Sequence, residues 1–251
     1  RQMCIRDSFN AEYDQGNPVQ SQDLNYRKSK NNYFYGQGDI QFEIIDGLNA
    51  KVNLYKSRYS SDYSQWDDPR TKAALGSGYA QRRARTWDRE LMEWTLNYDK
   101  SFGTDEKHKL SALAGYSWET NQFADQRSIA RNFAVVSMGA DNIQSGSELK
   151  VGDVTSARNE YKLISFFARA HYSYDERYMI TATVRRDGSS KFGANNKWGW
   201  FPSVSAAWGI SQEAFMENTK DWLSDLKLRV GYGVTGNQDG LTPYKSLELY
   251  E

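Results

Sequence analysis

Side chains able to do chemistry are few in this sequence, and their spacing assembles no reaction centre. His108 and His171 are its two histidines. They fall on different strands or turns without a partnering cysteine or serine motif, so His171 reads as a polar residue on a wet face rather than a base or a ligand. Cys4 is the single cysteine and can close no internal disulfide, and no CxxC or His/Cys cluster has zinc spacing. Asp62, Asp67 and Asp68 offer the oxygen atoms that calcium takes, but their spacing matches no EF-hand and a solvated loop is the plainer reading. Arg185, Arg186 and Asp187 lead into Gly188-Ser189-Ser190-Lys191, a run suited to a tight turn, and the phosphate-loop pattern is absent.

What remains is recognition. Tyr59, Tyr63, Trp66 and Tyr79 lie close together in the sequence and are candidates to stack on sugar or on a partner protein, with packing among themselves as the alternative. No acid, base and nucleophile constellation accompanies them. The expectation is a protein that is not an enzyme and needs no metal or cofactor.

The elements that carry these residues alternate with a period of two. Phe34, Gly36, Gly38, Ile40, Phe42 and Ile44 share one face, while Gln37, Asp39, Gln41 and Glu43 share the other. Seven more segments follow the same rule: Leu48 to Leu54, Met92 to Tyr98, Leu110 to Trp118, Ile164 to Tyr174, Tyr178 to Val184, Trp200 to Ile210 and Leu226 to Val234. Their even-numbered faces contain no Asp, Glu, Lys or Arg, although 25% of the chain is charged. A lipid-facing Lys or Arg near the bilayer midplane costs about 2–4 kcal/mol, so a clean outer face is what a membrane barrel requires.

A soluble sandwich also keeps one face clean, and connection lengths separate the two. Short connections at Ile45 to Gly47 and Asp175 to Arg177 alternate with long ones at Tyr59 to Arg83 and Asn121 to Glu160, the habit of barrels with tight periplasmic turns and extended external loops. Parity predicts a three-residue Ile45-Asp46-Gly47 connection with Gly47 left-handed, and pairing of Tyr174 with Tyr178. Phe42, Tyr98, Tyr172, Tyr174, Tyr178, Trp198, Trp200 and Trp208 crowd the stripe ends as headgroup-level girdles do. Pro202 must remove a ladder hydrogen bond and belongs near the external rim or at a bulge. Ser211 to Asp225 is longer, with a helical turn at Glu213 to Met216.

Composition closes other routes. No run approaches the roughly 18 apolar residues of a membrane helix. Thirty-two basic residues balance 32 acidic ones, which argues against nucleic acid as a partner.

The runs Leu163-Ile164-Ser165-Phe166-Phe167-Ala168-Arg169-Ala170-His171-Tyr172-Ser173-Tyr174 and Thr181-Ala182-Thr183-Val184-Arg185-Arg186-Asp187-Gly188-Ser189-Ser190-Lys191-Phe192-Gly193 closely resemble the SusC/RagA family of TonB-dependent outer-membrane transporters. So do Trp200-Phe201-Pro202-Ser203-Val204-Ser205-Ala206-Ala207-Trp208 and Leu226-Lys227-Leu228-Arg229-Val230-Gly231-Tyr232-Gly233-Val234-Thr235-Gly236-Asn237-Gln238. The resemblance implies a segment of a 22-stranded barrel in a Gram-negative, Bacteroidetes-like outer membrane. Such a barrel imports oligosaccharides or peptides with a SusD-like surface lipoprotein and is energised by TonB through an N-terminal part missing here. The expected architecture is all-β, a partial antiparallel up-and-down transmembrane barrel of about eight strands with open edges. Residues 1–8 look like a non-native leader resembling translated adapter sequence, and residues 9–251 like a barrel segment without plug or C-terminal strands. The alternatives are a self-contained eight-stranded structural or adhesion barrel, in which the strand near Phe34 pairs with the one near Val230, and a soluble carbohydrate-binding β-sandwich.

Overall fold

The computed structural model describes residues 18–74, 76–193, 195–219, 221–237 and 240. Cys4 and the leader 1–8 lie outside them. A short helix α1 (Pro18–Leu24) precedes β1 (Tyr26–Ile45), β2 (Leu48–Asp67), β3 (Tyr79–Phe102), β4 (His108–Phe133), β5 (Gly146–Glu148), β6 (Val154–Tyr174), β7 (Tyr178–Ser189), β8 (Trp198–Gly209) and β9 (Lys227–Gly233). One sheet holds them in the order β1-β2-β3-β4-β6-β7-β8-β9, with β5 paired to β4. Where register is defined the pairs are antiparallel, Tyr174 facing Tyr178 and Ala182 facing Val204. The path is the expected up-and-down meander of eight strands, and it runs from β1 to β9 without closing.

Two compact units are distinguished: Arg1–Tyr35 with Ser57–Asp88 and Gln122–Asn159, and Gly36–Lys56 with Arg89–Asn121 and Glu160–Glu251. The second contains the apolar stripes. Its even-numbered side chains stand in the open, with Ile40 71%, Val230 68% and Tyr232 75% exposed. A sandwich would have buried them against a second sheet, so that alternative falls, and an open order excludes the self-closed eight-stranded barrel. The odd-numbered face of the same strands is polar: Lys51 pairs with Asp39, Arg89 with Glu119, and His171 Nδ1 lies 2.8 Å from Thr181 Oγ1.

Turn chemistry follows the parity expectation. Gly47 has φ +77°, and a Cβ there would collide with the Asp99 carbonyl oxygen, so both its handedness and that close approach require glycine. Pro202 lies in the external half of β8, in unbroken register opposite Val184, so no bulge hosts it. Its carbonyl accepts from Val234 N at 2.9 Å just beyond β9. Because the N and C=O of a strand residue point the same way, the donor that proline lacks is missed only at this last rung. Gly231 and Gly233 face Ser205 and Ser203 across the ladder, where a Cβ would meet theirs at 3.3 and 2.9 Å. Each glycine thus leaves room for a serine of β8. After β8, Ala214–Thr219 forms a 3-10 turn where one helical turn was expected.

The long connections are narrower than alternation indicates. β2 continues to Asp67 and β3 starts at Tyr79; β4 continues to Phe133 and β6 starts at Val154. Membrane strands need only about 9–11 residues, and these run to 20, 24, 26 and 21. Where the outward face meets water instead of hydrocarbon, charge is permitted on both faces and the apolar-polar contrast vanishes. Cross-strand ion pairs such as Arg58–Asp88 accompany the ladder there.

The first unit holds the buried core: Trp66, Ala80, Ala130, Phe133 and Ala140, flanked by Tyr26, Val136 and Ile143. Trp66 and Phe133 meet edge to face with ring centres 4.9 Å apart. Tyr26 Oη accepts from Ala140 N at 2.9 Å, fixing the β4–β5 connection. Asn25 Oδ1 accepts from both Asp68 N (2.8 Å) and the Thr71 hydroxyl (3.1 Å), fixing the β2–β3 connection.

Candidate functional site

Strand alternation sorts the four candidate aromatics onto two faces. Tyr59, Tyr63 and Tyr79 are odd-numbered and half-buried, whereas Trp66 is even-numbered and only 3% exposed. Trp66 is therefore a core residue of the first unit, and stacking on a ligand is closed to it. The other three lie on a continuous polar face.

On that face Tyr59 of β2, Trp87 of β3 and Phe123 of β4 form a three-strand ladder, with ring centres 5.1 and 5.0 Å apart. Trp87, 38% exposed, is its central ring. Phe123 falls within the stretch read as the Asn121 to Glu160 connection, and Trp87 lies between the Tyr59 to Arg83 connection and the stripe that starts at Met92, so neither stands out as a candidate in the sequence. The signal available was parity: Tyr59, Tyr63, Tyr79 and Trp87 are all odd-numbered.

Polar groups continue the same surface. Ser29, Ser61, Tyr63, Gln81, Arg83 and Arg85 line a shallow cavity of about 360 Å³. The Tyr63 hydroxyl donates to Gln65 Oε1 (3.0 Å) and the Tyr79 hydroxyl to Gln81 Oε1 (2.8 Å), which orients both rings. Arg83 grips Asp125 with Nε and one terminal amine, the Nε bond being 2.8 Å, and Arg85 shares that carboxylate at 3.6 Å. The Arg83 guanidinium holds the Asp125 carboxyl below the usual carboxylate range. Two guanidinium groups on one carboxylate leave donors over, and Arg85 Nε, the atom 3.6 Å from Asp125, is buried and too far from it for a hydrogen bond.

The three acids weighed for calcium go separate ways. Asp68 takes both oxygens to Arg70 at 2.8 and 2.9 Å, Asp67 accepts from Arg27 (3.3 Å) and Gln65 (2.7 Å), and Asp62 lies exposed on the opposite face from Asp67. Hydrogen bonding to Arg70 lowers the Asp68 pKa. His108 stacks on Phe102 with ring centres 5.1 Å apart and its Nδ1 is 2.6 Å from the Tyr172 hydroxyl, an arrangement of the stripe end rather than of a reaction centre.

An unclosed antiparallel sheet with an apolar outward face and a polar, aromatic-bearing opposite face is wall, and comparison with known proteins says whose. The family described as TonB dependent receptor-like, beta-barrel, matches residues 5–245. The chain belongs to this family. This TonB-dependent receptor barrel is 35% identical over 210 residues to TonB-dependent receptor P3 of Formosa agariphila, covering 83% of this chain and 20% of that protein. It is 28% identical over 238 residues to TonB-dependent receptor SusC of Bacteroides thetaiotaomicron, covering 93% of this chain and 22% of SusC. Among solved structures it superposes on a chain of the RagAB peptide transporter with TM-score 0.79 at 27% identity, covering 88% of this chain and 24% of that one. The chain thus spans about a fifth to a quarter of these relatives. Resemblance to the SusC/RagA type holds, and with it the partial-barrel architecture and the outer-membrane location.

Proposed function

We propose that these strands form part of the wall of an energy-coupled importer of oligosaccharides, working with TonB and a SusD-like lipoprotein. The observation that carries the substrate reading is the Tyr59–Trp87–Phe123 ladder, flanked by Gln81, Arg83 and Arg85 on one face. Flat rings offer apolar area at small conformational cost, and neighbouring amide and guanidinium donors meet hydroxyl oxygens. Half-buried tyrosines whose hydroxyls are already bonded are preorganised, so less ordering entropy is lost on binding. Peptide is the second reading, supported by the relative described as a peptide transporter.

The test is binding to an intact receptor carrying these strands, with Trp87→Ala against Trp94→Ala, whose ring is on the outward face. Mixed oligosaccharides and mixed short peptides are titrated separately. Loss of roughly tenfold in oligosaccharide affinity for Trp87→Ala alone is expected, the usual order for one aromatic contact. Equal binding by both variants, or binding of peptides only, contradicts it.

A further inference from the structure

Arg185 and Arg186 are chain neighbours with opposite surroundings. Arg185, on the polar face, donates to both oxygens of Asp187 at 2.7 and 2.9 Å and to Ser165 at 3.0 Å. Arg186 points to the outward face, where register sets it between Phe166 of β6 and Trp200 of β8. Its guanidinium carbon lies 4.7 Å from the Trp198 ring centre and 5.2 Å from that of Trp200. The Phe166 ring lies 6.2 Å from Trp198, and Tyr116 extends the row at 5.2 Å.

Position along the strand identifies what this cation meets. The outward face of β7 reads Tyr178, Ile180, Ala182, Val184 and then Arg186, so the charge sits one step beyond the apolar stripe, at the end leading into the external connection. The rings around it are open, Phe166 49%, Trp198 44% and Trp200 59% exposed. Exposed rings at the end of a lipid-facing stripe settle at headgroup level. Lys56 and Lys162, which end the stripes of β2 and β6, pair with Glu90 and Glu160. Among the described residues no carboxylate pairs with Arg186, and its Nε is buried without an acceptor. A guanidinium packed against two indoles is partly stripped of water yet still needs an anion for its remaining donors, and phosphate fits its fork.

We propose that Arg186, clamped by Trp198 and Trp200, is a seat for the phosphate of the phosphorylated glycolipid that forms the outer leaflet of such membranes. The indoles hold the guanidinium in place, its terminal amines donate to phosphate oxygens, and the acyl chains lie along the Val184, Ala182 and Ile180 stripe below. The site is separate from the ligand-facing wall, because adjacent residues of β7 point to opposite faces.

The experiment titrates lipid A into an intact receptor carrying these strands and counts bound lipid by native mass spectrometry. The parent protein is compared with Arg186→Gln and with the Trp198→Leu/Trp200→Leu double variant. Three further ligands run in parallel: enzymatically dephosphorylated lipid A, phosphatidylglycerol and inorganic phosphate. The parent is expected to retain lipid A at roughly tenfold lower concentration than Arg186→Gln, as loss of a charge-assisted contact implies. Dephosphorylated lipid A should bind the parent no better than Arg186→Gln binds the phosphorylated form. Equal retention by a correctly assembled Arg186→Gln overturns the proposal, as does equal binding of the dephosphorylated form. Displacement of lipid A by equimolar phosphatidylglycerol or by inorganic phosphate also overturns it, by removing the glycolipid's specificity. Should Arg186→Gln fail to assemble, the ligand series on the parent alone decides.

Discussion

Trp87 stands 5.1 Å from Tyr59 across the β2–β3 ladder, its ring tilted by 48°, with Phe123 on its other side at 5.0 Å. Trp66, only seven residues from Tyr59, sits in the apolar core. Aromatic residues that look alike in sequence therefore have different consequences when removed.

Trp66→Ala should destabilise the first unit by about 3–5 kcal/mol, since a fully buried ring leaves a cavity beside Phe133. Trp87→Ala should leave folding within about 1 kcal/mol of the parent, its ring being open to solvent. Protease resistance of the β2–β3 and β4–β5 connections in an intact receptor distinguishes them: Trp66→Ala loses protection and Trp87→Ala keeps it.

Gly47→Ala should impair assembly. The residue has φ +77° and its missing Cβ leaves room for the Asp99 carbonyl, so a methyl group adds backbone strain of about 1–3 kcal/mol and a clash besides. Heat-modifiable gel mobility reports the folded fraction, which should fall for Gly47→Ala and stay high for Gly38→Ala, where nothing lies within 4 Å.

Asp153 accepts from Arg131 at 2.6 Å and from Lys150 N at 2.6 Å, and the Arg131 guanidinium together with that backbone N–H holds its carboxyl below the usual range. A depressed folded-state pKa stabilises above the unfolded value, about 3.9, and the contribution is lost as pH falls through the folded value. Asp153→Asn should therefore lower the melting temperature of the first unit at pH 6 and change it progressively less below about pH 3.9. A gap that persists unchanged at the lowest pH contradicts this.

Much of the wall is legible in sequence because hydrocarbon punishes charge. The stripes from Phe34 to Ile44 and from Tyr178 to Val184 could be read directly, and register places Ile180 opposite Tyr172 and Ala206 on the predicted face. Beyond Leu54 on β2 the outward residues become Lys56, Arg58 and Asp62, and no solvent contrast remains to reveal a strand. The ladder of Trp87 and Phe123 is hidden for the same reason, since it depends on β2 and β4 continuing where sequence indicates loops and on β3 starting before its apolar stripe. The burial of Trp66 depends on Phe133 and Ala140, brought in by the end of β4 and by the β4–β5 connection, both distant in sequence.

Even-numbered side chains of the stripes face hydrocarbon and odd-numbered ones a wet interior. The direct measurement places spin labels one at a time at positions 180, 181, 229 and 230 of an intact receptor in bilayers, with Cys4 replaced by serine, and compares oxygen with nickel-chelate accessibility. Labels replacing Ile180 and Val230 should collide with oxygen and exclude the chelate, and labels replacing Thr181 and Arg229 should do the reverse. Equal chelate access at both parities, or even-numbered labels shielded from both probes, would rule out this division of the two faces.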